Sequence, residues 1–251
     1  MRDTEIIAHR GASHDAPENT LAAFRLAWEQ GADGAEGDFR LTRDGEIVCL
    51  HDPTARRTTG RNLAVAEATL AQLRDLDAGA WKGKEWTGER IPTLREVVAT
   101  VPPGKRLFIE LKAGPEILLP LAAVLAEPGL TPGQTVILAF DAEVVTQARK
   151  LLPEVKTLWI TSYRRDWVCG GWTPSIGEVI QTLERTGASG LACQARRFID
   201  AAFVRPLRDA GMELHVWTVD SPRSAARFVA LGVDSVNTNR PGWLRSRLNT
   251  P

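Results

Sequence analysis

Glu36 and Asp38 stand two residues apart in the run Gly34-Ala35-Glu36-Gly37-Asp38. On a strand that spacing points both carboxylates to one face, with only Ala35 and Gly37 behind them. Two carboxylates side by side repel each other unless a cation or a shared proton compensates them. A second alternating stretch, Leu107-Phe108-Ile109-Glu110-Leu111-Lys112, puts Glu110 and Lys112 on the face opposite Leu107, Ile109 and Leu111. If both strands line one cavity, three carboxylates and one lysine converge there. An oxygen-only set of this kind suits one hard divalent cation, Mg or Ca, rather than zinc. Such a cation beside Lys112 and Arg10 suits an anionic, phosphate-like substrate.

Of the four histidines, His9 and His51 flank the acidic stretch, where a pair could act as acid and base near neutral pH. His14, in a polar loop, and His215, within a strand, read as solvated or structural. The competing arrangement is an internal salt-bridge network of Glu36, Asp38 and Glu110 with Arg10 and Lys112. Lys112 alone would also serve as an imine-forming amine.

The elements that position these groups follow from local pattern. Residues 5–9 form a short apolar strand ending at His9-Arg10-Gly11, where the glycine permits a turn. Glu18-Asn19-Thr20 offers capping side chains after Pro17, and Leu21, Phe24 and Trp28 repeat at helical spacing until Gly31. The acidic strand spans 34–41, and an Asp44-Gly45 turn leads into 46–50, a hairpin that returns His51 and Asp52 towards the carboxylates. Residues 54–90, rich in Arg, Thr, Gly and Lys with a helical run at Leu70, Leu73 and Leu76, read as an inserted subdomain. From Leu94 onward helices and strands alternate, with strands expected at 107–112, 135–139, 155–160, 189–192, 213–217 and 233–236. Eight strands in this length match an α/β chain folded as a TIM (β/α)8 barrel over 1–251, with the small insertion after strand 2. The carboxylates and histidines then lie at the C-terminal ends of strands 1, 2 and 3 or just beyond, the face that carries active sites in this fold.

Composition is consistent with that design. The chain of 251 residues, 43% apolar, can bury a substantial core. Its 31 basic and 31 acidic residues balance, and no basic run points to nucleic acid. Cys49, Cys169 and Cys193 are odd in number and lack metal-ligand spacing, which argues against a disulfide framework. No signal peptide or membrane-spanning run is evident, so a cytoplasmic location is expected.

The motifs also carry a family likeness. His9-Arg10-Gly11, Pro17-Glu18-Asn19-Thr20, Gly31-Ala32-Asp33, Glu36-Gly37-Asp38, Leu41-Thr42-Arg43-Asp44-Gly45, His51-Asp52, Arg57-Thr58-Thr59-Gly60, Ile91-Pro92-Thr93-Leu94 and Glu110-Leu111-Lys112 occur in order. With Trp217-Thr218-Val219, Gly232-Val233-Asp234 and Arg240-Pro241, they resemble the glycerophosphodiester phosphodiesterase family over nearly the whole chain. The resemblance implies hydrolysis of a glycerophosphodiester to glycerol 3-phosphate and an alcohol, an activity of lipid and glycerol metabolism. It implies Glu36, Asp38 and Glu110 as metal ligands, His9 and His51 as the acid–base pair, and Arg10 and Lys112 as phosphate contacts. Two other classes stay open: a Lys112 Schiff-base lyase or aldolase, and a non-catalytic phosphodiester-binding protein. Asn239 departs from the Asp common before Arg-Pro, and Ala139 from the usual serine before Phe140; both are expected to bear on the rim and substrate pocket. Trp81, Trp86, Trp167, Trp172 and Trp217 are candidates for selecting the alcohol, with Trp217 foremost because the barrel fixes its direction. A ring face there would suit a quaternary ammonium group.

Overall fold

The computed structural model describes residues 4–165 and 170–248. Its strands, in chain order, are β1 (Glu5–His9), β2 (Gly34–Leu41), β3 (Ile47–Cys49), β4 (Arg106–Leu111), β5 (Thr135–Ala139) and β6 (Lys156–Thr161). They continue with β7 (Arg164–Arg165), β8 (Trp172–Thr173), β9 (Gly190–Gln194), β10 (Glu213–Trp217) and β11 (Ser235–Thr238). The parallel ladder runs β1-β2-β4-β5-β6-β9-β10-β11 and returns to β1, which closes the eight-stranded TIM barrel expected from the alternation. The last strand begins two residues later than expected. Asp234 spends its carboxylate on the Leu214 backbone N–H at 2.8 Å, so the residues before Ser235 serve as a connection.

The helices are α1 (Leu21–Glu29), α2 (Arg56–Thr59), α3 (Leu70–Arg74), α4 (Leu94–Val98), α5 (Leu118–Leu125) and α6 (Ala142–Leu151). After them come α7 (Ile176–Thr186), α8 (Ala201–Asp209), α9 (Pro222–Ala230) and α10 (Pro241–Leu248). Their starts are set by local chemistry. Thr20 accepts from Ala23 N–H to begin α1, and Ser175 with Glu178 forms a capping box on α7. Their apolar faces, such as Ala23, Phe24 and Ala27 of α1 and Val179 and Leu183 of α7, cover the outside of the barrel. No helix among the described residues is long and apolar enough to cross a membrane.

Inside the barrel the inward residues fall into layers. Arg106 pairs with Glu5, and Glu213 takes Lys156 at 2.5 Å and His215 at 3.2 Å, all near the N-terminal strand ends. Ile7, Phe108, Leu138, Leu158 and Ile160 fill the middle. Above them the polar residues of β1, β2 and β4 open towards the C-terminal face.

Residues 54–90 run between β3 and α4 and pack Ala55, Val65, Ala68 and Leu73 with Val48, Leu50 and Ile91 into a separate small core. The helix there stops at Arg74, short of Leu76. Asp77 explains the stop: its carboxylate accepts the backbone N–H groups of Gly79, Ala80 and Gly88 at 2.8 to 2.9 Å and turns the chain away.

Candidate active site

Glu36 and Asp38 are buried on the inward face of β2, only 2% and 1% exposed. Gly37 between them faces α1, and a Cβ there would come within 2.8 Å of the Phe24 ring, so glycine lets the helix seat against the strand. The β2–β4 register sets Asp38 beside Glu110. As a result, one carboxylate oxygen from each of Glu36, Asp38 and Glu110 lies within 4.8 Å of the other two.

Two cations enter this cluster. Arg10 gives its backbone N–H to Glu36 Oε2 at 2.9 Å and sets its Nε 3.1 Å from Asp38 Oδ2. Arg10 (φ +57°) and Gly11 (φ +74°) both adopt left-handed backbone, and the turn they make packs onto Ala23 so closely that no side chain fits at Gly11. The Lys112 ammonium bridges Glu110 Oε1 and Asp38 Oδ1, the latter at 3.1 Å. Burial and then the Asp38 charge raise both Glu36 and Glu110 above the usual carboxylate range. Burial pushes Asp38 the same way, but Lys112 and Arg10 outweigh it and hold Asp38 low. Burial likewise works against the Lys112 charge, yet Asp38 and Glu110 raise it, so the amine stays protonated and is a poor imine-forming nucleophile.

His9 ends β1 in register with Glu36, and its Nδ1 lies 2.8 Å from Asn239 Oδ1. His51 follows β3, whose antiparallel pairing with the end of β2 carries the chain back over the site; Leu50 N–H bonds Asp38 O at 2.8 Å. The His51 Nδ1 lies 2.7 Å from Asp52 Oδ1. Burial holds both histidines below the ordinary imidazole value; the Arg10 charge adds to this at His9, while Asp38 and Asp52 oppose it at His51. Each ring therefore has Nδ1 occupied and Nε2 left for chemistry. His14 is half-exposed near Asp15, and His215 is buried between Ser235 and Glu213, so neither side chain belongs to the cluster.

Several partners were not assigned from the sequence. Asn19, read as a capping residue, leaves that task to Thr20 and braces Asp38 instead: its Nδ2 donates to Asp38 Oδ2 at 2.9 Å, and its Oδ1 accepts Asp38 N–H at 3.2 Å. Arg40, next on the inward face after Glu36 and Asp38, donates to the carbonyls of His51 and Lys112 and fixes both loops. Continuing the two-residue period one step further would have found it. Asn239, expected at the rim, instead holds His9. Arg57, from the insertion, bonds Glu18 and Asp52. Burial pushes the Cys49 and Cys193 thiols up, so neither is poised as a nucleophile.

Among the tryptophans, Trp217 ends β10 inside the barrel mouth, with a buried Nε1 that has no protein partner. Its ring meets Phe140 edge-on at 6.1 Å, and Lys112 Nζ lies 5.6 Å over Phe140, which joins this aromatic wall to the charged cluster. Trp172 is committed elsewhere, stacked on Phe198 at 4.6 Å in a group with Tyr163 and Phe203. Trp81, 43% exposed, and Trp86 lie in the insertion, and Trp167 lies outside the described residues.

A family model described as the glycerophosphoryl diester phosphodiesterase family matches residues 9–243, a span that takes in every residue of this cluster. The chain belongs to that family. Among other members of the glycerophosphoryl diester phosphodiesterase family, a glycerophosphodiester phosphodiesterase of Caldanaerobacter subterraneus subsp. tengcongensis is 35% identical over 248 residues, 96% of each chain. One of Bacillus subtilis is 31% identical over 251 residues, 94% of this chain and 83% of the relative. A phosphodiesterase of Oleispira antarctica, solved in complex with the product sn-glycerol-3-phosphate, matches 99% of this chain and 98% of its own at 30% identity and a TM-score of 0.88. The divalent cation that the family implies is compatible with the donors present. They are all carboxylate oxygens, and Glu36 Oε1 is buried without a protein partner.

Proposed function

We propose that the chain hydrolyses glycerophosphodiesters to glycerol 3-phosphate and an alcohol, using one divalent cation, Mg or Ca, held by Glu36, Asp38 and Glu110. The observation that carries this reading is the meeting of those three carboxylates with Arg10 and Lys112 between two histidines whose Nδ1 atoms are already bonded. When bound, the cation supplies Lewis-acid stabilisation of the phosphoryl oxygens. Arg10 and Lys112 share the phosphate charge. One histidine removes the proton of the attacking hydroxyl and the other protonates the departing alkoxide. Trp217 and Phe140 form the wall against which the alcohol or glycerol moiety lies, and the inserted subdomain 54–90 supplies Arg57, which holds Asp52 and Glu18. The balanced charge of the chain supports a small-molecule substrate rather than nucleic acid, and the free, buried Cys49 and Cys193 accord with work in the cytoplasm.

The protonated state of Lys112 weighs against the imine-forming alternative. A panel of glycerophosphodiesters assayed with and without a chelator tests the proposal. Release of glycerol 3-phosphate that stops on chelation is expected, and absence of release with Mg or Ca supplied would overturn it.

A further inference from the structure

Asn239 has an amide whose orientation is decided by a residue outside the cluster. Its Nδ2 lies 2.7 Å from Asp220 Oδ2, and a carboxylate can only accept, so the amide nitrogen must face Asp220. The carboxylate is itself held in place. Asp220 Oδ1 accepts the Asn239 N–H and the Thr238 hydroxyl, both at 2.8 Å. The amide oxygen is thereby turned to the other side, 2.8 Å from His9 Nδ1 and 2.9 Å from Ser13 Oγ. An amide oxygen cannot donate, so the neutral His9 ring must carry its proton on Nδ1 and its lone pair on Nε2.

We infer that Asp220, acting through Asn239, is a positioning residue that selects the tautomer and ring orientation of His9 and so leaves its Nε2 able to take the proton of the attacking hydroxyl. This inference rests on the acid–base reading of His9 given above. In the first step the proton of the attacking hydroxyl passes to His9 Nε2 as that oxygen bonds phosphorus, and the Nδ1 proton stays on the ring because Asn239 Oδ1 cannot take it. A tautomer with the proton on Nε2 would present a donor to the nucleophile and could not accept. Asp220 is thus required although Asn239 stands between it and the imidazole.

An exchange of the two side chains tests this. In Asp220→Asn the amide of Asn239 loses its obligatory acceptor and can turn its nitrogen to His9, so kcat should fall at least tenfold with KM within about threefold. Asn239→Asp sets two carboxylates against each other and should do worse. The double exchange, Asp220→Asn with Asn239→Asp, again gives a donor facing a carboxylate and an acceptor facing His9, and should return kcat to within about threefold of wild type. Nitrogen-15 spectra of the imidazole, assigned with His9→Gln, should show the neutral wild-type ring protonated at Nδ1 and Asp220→Asn shifted towards Nε2. A wild-type ring protonated at Nε2, an unchanged kcat in Asp220→Asn, or a double exchange no better than Asn239→Asp would each overturn the inference. Full activity in His9→Gln would instead overturn the acid–base reading, and the spectra would still report the tautomer.

Discussion

The Arg57 guanidinium donates through Nε to Asp52 Oδ2 at 2.7 Å, while Asp52 Oδ1 takes His51 Nδ1 at the same distance. The other face of the guanidinium grips both oxygens of Glu18 at 2.8 Å, and Glu18 in turn accepts from Arg10 at 2.9 Å. Burial would raise Asp52, but the hydrogen bonds from Arg57 and His51 outweigh it and hold the carboxyl at about 2. A residue of the insertion thus orients groups at both ends of the cluster.

Arg57→Ala should therefore lower kcat by about tenfold, roughly 1.4 kcal/mol, through loss of His51 and Arg10 alignment. The melting temperature should barely move, because half-exposed ion pairs contribute about 0 to 1 kcal/mol. Steady-state kinetics and a thermal melt on one preparation decide between this and a stabilising role. An unchanged kcat would reduce Arg57 to a surface contact.

Cation binding should raise the melting temperature of the wild type, by about 2.7 kcal/mol of stability at a hundredfold excess over Kd. Glu36→Gln and Asp38→Asn should lose that response. Because Glu36 and Glu110 are held above the usual carboxylate range, and a carboxyl ligates in its ionised form, binding should release protons. Affinity should consequently rise as pH increases from about 6 to 8. Calorimetry in buffers of different ionisation enthalpy measures this directly, and pH-independent binding without proton release would contradict it.

Gly37→Ala should destabilise the fold by about 1 to 3 kcal/mol, the usual cost of overpacking, since the new methyl meets the Phe24 ring at 2.8 Å and Cys49 Sγ at 3.1 Å. Shortening the neighbour in Gly37→Ala with Phe24→Leu should recover part of the loss. Urea midpoints for the four chains supply the test, and a neutral Gly37→Ala would show that the strand and α1 can separate at no cost.

Trp217→Leu should change the ratio of kcat/KM for glycerophosphocholine and glycerophosphoglycerol by up to about tenfold, since a cation over one ring is worth about 0.5 to 2 kcal/mol. Trp172→Leu should leave that ratio alone, because its ring is spent on Phe198. Equal ratios in wild type and Trp217→Leu would assign Trp217 to packing.

The sequence by itself determined what depends on near neighbours. The two-residue period of β2 and β4 showed which face carries Glu36, Asp38 and Glu110, and the Asp44-Gly45 turn showed that the chain doubles back towards them. The regular recurrence of strand and helix counted eight units and so named the barrel. The motifs His9-Arg10-Gly11 and Glu110-Leu111-Lys112 indicated the chemistry. What only the tertiary structure decided is how these groups are held. His9 and Asn239 lie 230 residues apart and meet because β11 pairs with β1 when the barrel closes. Asn19 was legible as a helix start, but Thr20 can cap alone, which frees Asn19 for Asp38 on a different element. Asp220 gave no signal at all and Arg57 stood in a motif without a partner, since a loop aspartate and a surface arginine acquire a role only from what lies 2.7 Å away. Periodicity records which face a side chain takes, whereas the partner across a hydrogen bond is set by strand register and loop path, which no local spacing contains.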